Sequence, residues 1–251
     1  MFISESPERS WTACKDMIAF TDVVSLGYNC RTTHRLREHF ATRRAFPLDW
    51  WVTPLKGAVN FLRDWDLERL YDPQHLCEIA GDDQVAYIEN ALYGIKLQHE
   101  FPLGEGKLGV LPGWRDHIEQ AKSRTRFLMD RFDGLNERGN RILFVRELGP
   151  DERRAPQLCI YLKQLIRGRL PLARCVFLLI SADGMSVQGW HALKVDDPTI
   201  VPWWGNPQIW DRALSSLGFE VTAAAREPSA ETLITAMPKF ENESEQSGVS
   251  D

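Results

Sequence analysis

Two short apolar runs, RILFVREL at 141–148 and CVFLLISAD at 175–183, bracket a segment at 151–170 that reads as a helix. Each run is too short for a helix and rich in branched and aromatic residues, so each reads as a strand buried on both faces. Strand, helix, strand in close succession is a βαβ crossover, and a crossover sets its two strands parallel. The alternation extends along most of the chain. DVVSL at 22–26 reads as a strand, CRTTHRLREHF at 30–40 as a helix capped by Asn29, and PLKGAVNFLRDW at 54–65 as a helix with Thr53 as cap and Pro54 in its first turn. QVAYIE and LYGIKLQHEF read as a hairpin, 66–83 as irregular, and about 113–132 as a long helix closed by the Asp-Gly at 133–134. HALKV, IWDRALSSLG and FEVTAAA supply a strand, a helix and a strand. The expectation is a single α/β domain over 1–240, with a mixed, mostly parallel central sheet and helices on both faces. The alternative is a papain-like α+β arrangement. The polar stretch 241–251 reads as a disordered tail.

Composition narrows the function classes. The 251 residues carry 30 Lys+Arg against 35 Asp+Glu, a net charge of −5, which disfavours a nucleic-acid partner. No apolar run is long enough to span a bilayer, and the first twenty residues show no secretory pattern, so no membrane partner and a cytoplasmic location are expected. Five irregularly spaced cysteines make no disulfide framework, which suits a reducing compartment.

One cysteine stands where chemistry is favoured. SLGYNC at 25–30 places Cys30 at the end of a strand, after a tight turn, on the first residue of a helix. A thiol there meets free backbone N–H groups and the positive end of the helix dipole, and Arg31 and Arg35 add positive charge. All three effects favour thiolate, and the N–H groups of the turn suit an oxyanion. Read without them, Cys30 is simply a small apolar residue packed at a helix end.

A nucleophilic thiol requires a base and a group to orient it. His99, in LQHEFP, ends a strand at an aromatic boundary. His191 is the competitor: with Asn206 fifteen residues further on, it completes a Cys, His, Asn order. His34, four residues after Cys30, would be half of a zinc site, but no second pair has ligand spacing, and neither metal nor cofactor is expected. Asp49, embedded in AFPLDWW, is either an orienting acid or a turn cap. Arg146 ends a strand, where ligand-facing residues of α/β sheets emerge; its alternative is an ion pair with Glu147 or Asp151. Asn29 and Arg146 are the candidate substrate-binding residues.

Taken together, SLGYNC, then AFPLDWW at 45–51, then HEF at 99–101, then a strand of the type LFVR, resemble a largely bacterial family of papain-like cysteine peptidases. The resemblance covers about 22–148, with Leu48 and Glu100 departing from that family's usual Phe and Asp. It implies Cys30 as nucleophile, His99 as base and Asp49 as third member. The expected function is therefore a cysteine-dependent hydrolase or acyl transferase acting on a peptide, amide or other acyl substrate. The alternatives are a sugar- or nucleotide-dependent transferase using Arg31, Arg35 and Arg146 for phosphate, and a noncatalytic binding protein.

Overall fold

A computed structural model describes residues 18–80, 86–97, 99–104, 109–154, 156–199 and 203–222. The expected tail at 241–251 lies outside them, as do residues 223–225 of the last expected strand.

The centre is a parallel sheet. Strands β2 (Asp22–Ser25), β6 (Arg141–Glu147), β7 (Arg174–Ser181) and β8 (His191–Lys194) are hydrogen-bonded in that order, all parallel. Strand β1 (Ile18–Phe20) leads directly into β2 and pairs in parallel with β9 (Phe219–Val221). The side chains of β6 and β7 alternate between two cores, as the period of two demands. Ile142, Phe144, Phe177 and Leu179 face one cluster, and Leu143, Val145, Leu178 and Ile180 face the other. Helix α1 (Cys30–Phe40) and helix α6 (Pro207–Ser215) cover the second face through Leu36, Phe40, Trp210 and Leu214. Helices α2 (Leu55–Asp64), α4 (Ile118–Asp133) and α5 (Pro156–Arg169) cover the first. There Phe144 stacks on Phe177 at 5.5 Å between ring centroids, with Phe132 and Trp190 on either side. The chain is thus a single-domain α/β protein with a parallel central sheet and helices on both of its faces. Among the described residues, no helix is long and apolar enough to cross a membrane.

Local signals set several boundaries as expected. Helix α1 starts at Cys30 with the Asn29 side chain accepting from the Arg31 N–H at 3.1 Å. Three expectations are corrected. The stretch read as irregular contains a helical turn, α3 (Leu67–Leu70), and a strand, β3 (Leu76–Ala80), which pairs antiparallel along all of β4 (Ala86–Asn90). The hairpin partner β5 is only Ile95–Lys96. Thr53 does not cap α2: Pro54 occupies that position, and the Leu55 N–H is bound by the carboxylate of Glu152. The cap comes from across the molecule, so the local pattern points one residue too early.

Candidate active site

The carboxyl ends of the parallel strands β2 and β6 carry Cys30 and Arg146, the edge at which open α/β sheets place their ligands. After β2 the chain turns through Gly27, whose φ of +80° lies in the region that glycine tolerates best. A side chain at Gly27 would also press on Thr53 and on the guanidinium of Arg146. The Gly27–Tyr28 peptide is cis, and Cys30 then opens α1.

Arg146 lies beneath this turn with its side chain wholly buried. It donates to the carbonyls of Leu26 at 2.7 Å and Thr53 at 2.9 Å, and grips both oxygens of Glu152 at 2.8 Å. Glu152 in turn accepts from the N–H groups of Gly149 and Leu55. Four backbone groups from the ends of β2 and β6 and the approach to α2 therefore meet on one ion pair. The expected ion-pair partners were Glu147 and Asp151; the partner is Glu152. Asn29 is committed in a similar way, as the helix cap.

Glu147, which the sequence did not single out, sits against the first turn of α1. It accepts from the Thr32 hydroxyl and from Arg31, each at 2.5 Å. The signal that would have found it is the position of an acid directly after the last apolar residues of a buried strand.

The electrostatics of Cys30 run against the sequence expectation. Burial pushes its thiol up to about 11, against the backbone N–H groups of Cys30 and Arg31 and the Arg31 charge, which favour thiolate; Glu147 adds to the rise. The helix N-terminus acts in the expected direction and is outweighed by loss of water. His99 behaves alike: burial pushes its imidazole down to about 4, so it is neutral near pH 7.

The face of α1 that bears Cys30, Thr33 and Arg37, at helical spacing, carries the 46–51 loop. The Thr33 hydroxyl donates to the Asp49 carbonyl at 2.6 Å, and Arg37 pairs with the Asp49 carboxylate at 3.3 Å while lying over the Trp50 ring at 4.9 Å. The same carboxylate accepts from the Phe46 N–H at 2.9 Å, the turn-capping role. Burial raises Asp49 to about 6 despite Arg37. Trp50 in turn meets His99 edge-on at 6.0 Å, and Trp51 donates to Glu100 at 2.9 Å. The PLDWW and HEF elements are thus brought together by two consecutive contacts. His191 is exposed at the start of β8 with its ring against Phe219, and Asn206 caps α6.

A cleft of about 250 Å³ opens beside the turn, lined in part by Tyr28, Arg31, Glu147, Ser181, Asp196 and Asp197. Among the described residues, no group of His, Cys, Asp and Glu side chains has the arrangement of a metal site. Comparison of the chain with protein-family models, curated proteins and solved structures finds no match.

Proposed function

We propose that the protein is a cysteine-dependent hydrolase or acyl transferase in which Cys30 is the nucleophile and His99 the base. The observation that carries this reading is the place of Cys30: a strand–turn–helix junction, backbone N–H groups at its sulfur, and a cleft against the next residue of the helix. The pair rests neutral. In the reaction the sulfur attacks the acyl carbon and the S–H proton passes to the neutral His99 imidazole. A C–S bond forms while the carbonyl π electrons move to oxygen, and the oxyanion is met by N–H groups of the 27–31 turn. Collapse of the intermediate breaks the bond to the leaving amine or alkoxide, which takes the proton from His99. Water, or an acceptor nucleophile, then gives a proton to His99 and cleaves the thioester, returning Cys30 as thiol. Arg146, Glu152, Asn29 and Asp49 are positioning residues: each holds backbone or a neighbouring side chain of the site.

The three arginines of the phosphate-binding alternative are all engaged. Arg31 is bound to Glu147, Arg146 to Glu152, and the buried Arg35 to Glu38 and to the carbonyls of Trp204 and Gly205. The test of the hydrolase reading is acylation by p-nitrophenyl acetate, with the modified residue located by mass spectrometry. Acetyl transfer to Cys30, lost in Cys30→Ser and slowed in His99→Ala, is the expected result. Acylation elsewhere, or a rate indifferent to His99→Ala, overturns it.

A further inference from the structure

A histidine's terminal torsion is broad and roughly two-fold, so its backbone chooses neither the plane of the ring nor the nitrogen that faces a given neighbour. Packed neighbours make that choice. Trp50 meets the His99 ring at 6.0 Å between centroids and at 88°, the edge-to-face arrangement that aromatic pairs prefer. A contact of that kind favours one ring placement over others by about two- to tenfold.

Trp50 is itself fixed from several directions. Its neighbour Asp49 accepts from the Thr33 hydroxyl through its carbonyl and from the Phe46 N–H through its carboxylate, while Trp51 is bonded to Glu100. Over its face the Arg37 guanidinium lies 4.9 Å from the ring centroid, within the range of a cation–π contact. Arg37 is held there by the Asp49 carboxylate at 3.3 Å. The backbone just before carries strain. Leu48, only 2% exposed, has a φ of +73°, in the left-handed region that bulky residues avoid. A side chain of that size stays there only where its surroundings over-determine it, and such positions cluster at functional sites.

We propose that Trp50 is a positioning residue that sets the ring plane and the proton-bearing nitrogen of His99, and that Asp49 acts on His99 through Arg37 and Trp50. Asp49 is then the third member of the site by way of two other side chains. The proposal deepens the hydrolase reading, on which it rests for calling His99 the base.

NMR of the full chain, with isotope-labelled histidine nitrogens, tests it; His99 is assigned from the signals lost in His99→Gln. Burial keeps His99 neutral at pH 7, so the shifts of its two nitrogens report the ratio of its tautomers. In the wild type one tautomer is expected to predominate. Trp50→Ala is expected to bring the ratio at least about twofold closer to even. Trp50→Phe, which keeps an aromatic ring, is expected to retain the wild-type ratio, and Arg37→Met to move it in the direction of Trp50→Ala. Should Trp50→Ala fail to fold, Trp50→Leu replaces it, since leucine fills much of the space and lacks the ring. An unchanged ratio in the variant without the ring, an equal change in Trp50→Phe, or a wild-type ratio in Arg37→Met overturns the proposal. None of these readouts involves the thiol. A ratio that responds to Trp50 while p-nitrophenyl acetate leaves Cys30 unmodified removes the hydrolase and keeps the role of Trp50; acylation of Cys30 with a ratio indifferent to Trp50 does the reverse.

Discussion

The indole N–H of Trp51 donates to the buried carboxylate of Glu100 at 2.9 Å, and so ties the loop that follows α1 to the segment that carries His99. Arg124 supplies the countercharge to Glu100 from α4, and burial still raises the carboxyl above its ordinary value. The acid next to His99 is thus engaged with an indole and an arginine, and its work is to hold the two segments together.

Trp51→Phe keeps the ring packing and removes the donor. Leaving a buried carboxylate short of a partner costs about 1–3 kcal/mol, and chemical denaturation is expected to show a loss in that range. Because the contact adjoins His99, acylation of Cys30 is expected to slow as well. Full stability in Trp51→Phe would show that Glu100 is held by Arg124 alone.

Alkylation of Cys30 by iodoacetamide is expected to be slow at pH 7–9 and to accelerate only as pH approaches 11, since burial holds the thiol protonated. Cys77, which is exposed, serves as the internal reference. Mass spectrometry of both sites across pH gives the two profiles. A Cys30 rate that levels off well below pH 11 would show that the helix N-terminus prevails over burial.

The Arg146–Glu152 pair is buried and shared by several backbone groups. Removing one partner from such a pair costs about 3–5 kcal/mol because the other charge remains without compensation. Glu152→Ala is expected to lose stability on that scale, while Glu152→Gln, which retains an acceptor, loses less. A small and equal loss in both would mean that Arg146 finds other partners.

Burial raises Asp22 to about 6, with Arg44 and Arg131 acting against the rise. The folded state therefore holds this proton more tightly than the unfolded chain, whose value is near 3.8. The resulting contribution favours folding below pH 3.8 and is lost as pH rises from there through 6; at its full extent it corresponds to about 3 kcal/mol. His99 works in the opposite direction: its folded value is depressed, and stability is lost as pH falls from about 6.5 towards 4. Asp22→Asn separates the two effects. Relative to wild type, the variant is expected to be more stable at pH 7 than at pH 4.5, and a difference that does not vary with pH would contradict the raised value.

Gly57, inside α2, packs so close to the Tyr93 carbonyl that an added Cβ would collide with backbone. Alanine has the better helix propensity by about 1 kcal/mol, yet Gly57→Ala is expected to destabilise by about 1–3 kcal/mol through overpacking. A gain in melting temperature would show that the 93–95 segment yields.

What was legible in the sequence was whatever neighbours along the chain decide. The strands 141–147 and 174–181 must be apolar on both faces, and Asn29 caps the helix that it precedes. Strand β3 was not legible, because Cys77 and Glu78 are exposed and break the apolar run. Nor was the cap of α2, since Glu152 lies 97 residues from Leu55. The acidity of Cys30 failed for the same reason: Arg31 and the helix end are local, whereas the burial that overrides them comes from the whole fold. Asp49 showed as an acid among aromatic residues, while its pairing with Arg37 required the loop to lie along α1.

The staple under the turn sets a lower limit on how small a working piece of this chain can be. A fragment ending at residue 135 would contain Cys30, Asp49 and His99, every residue of the proposed chemistry. It would lack the guanidinium that gathers the carbonyls of Leu26 and Thr53 and the carboxylate that closes the start of α2. The residues of the proposed chemistry and the ion pair that braces their turn lie in different halves of the chain, so a piece holding only one half would lose the other's part.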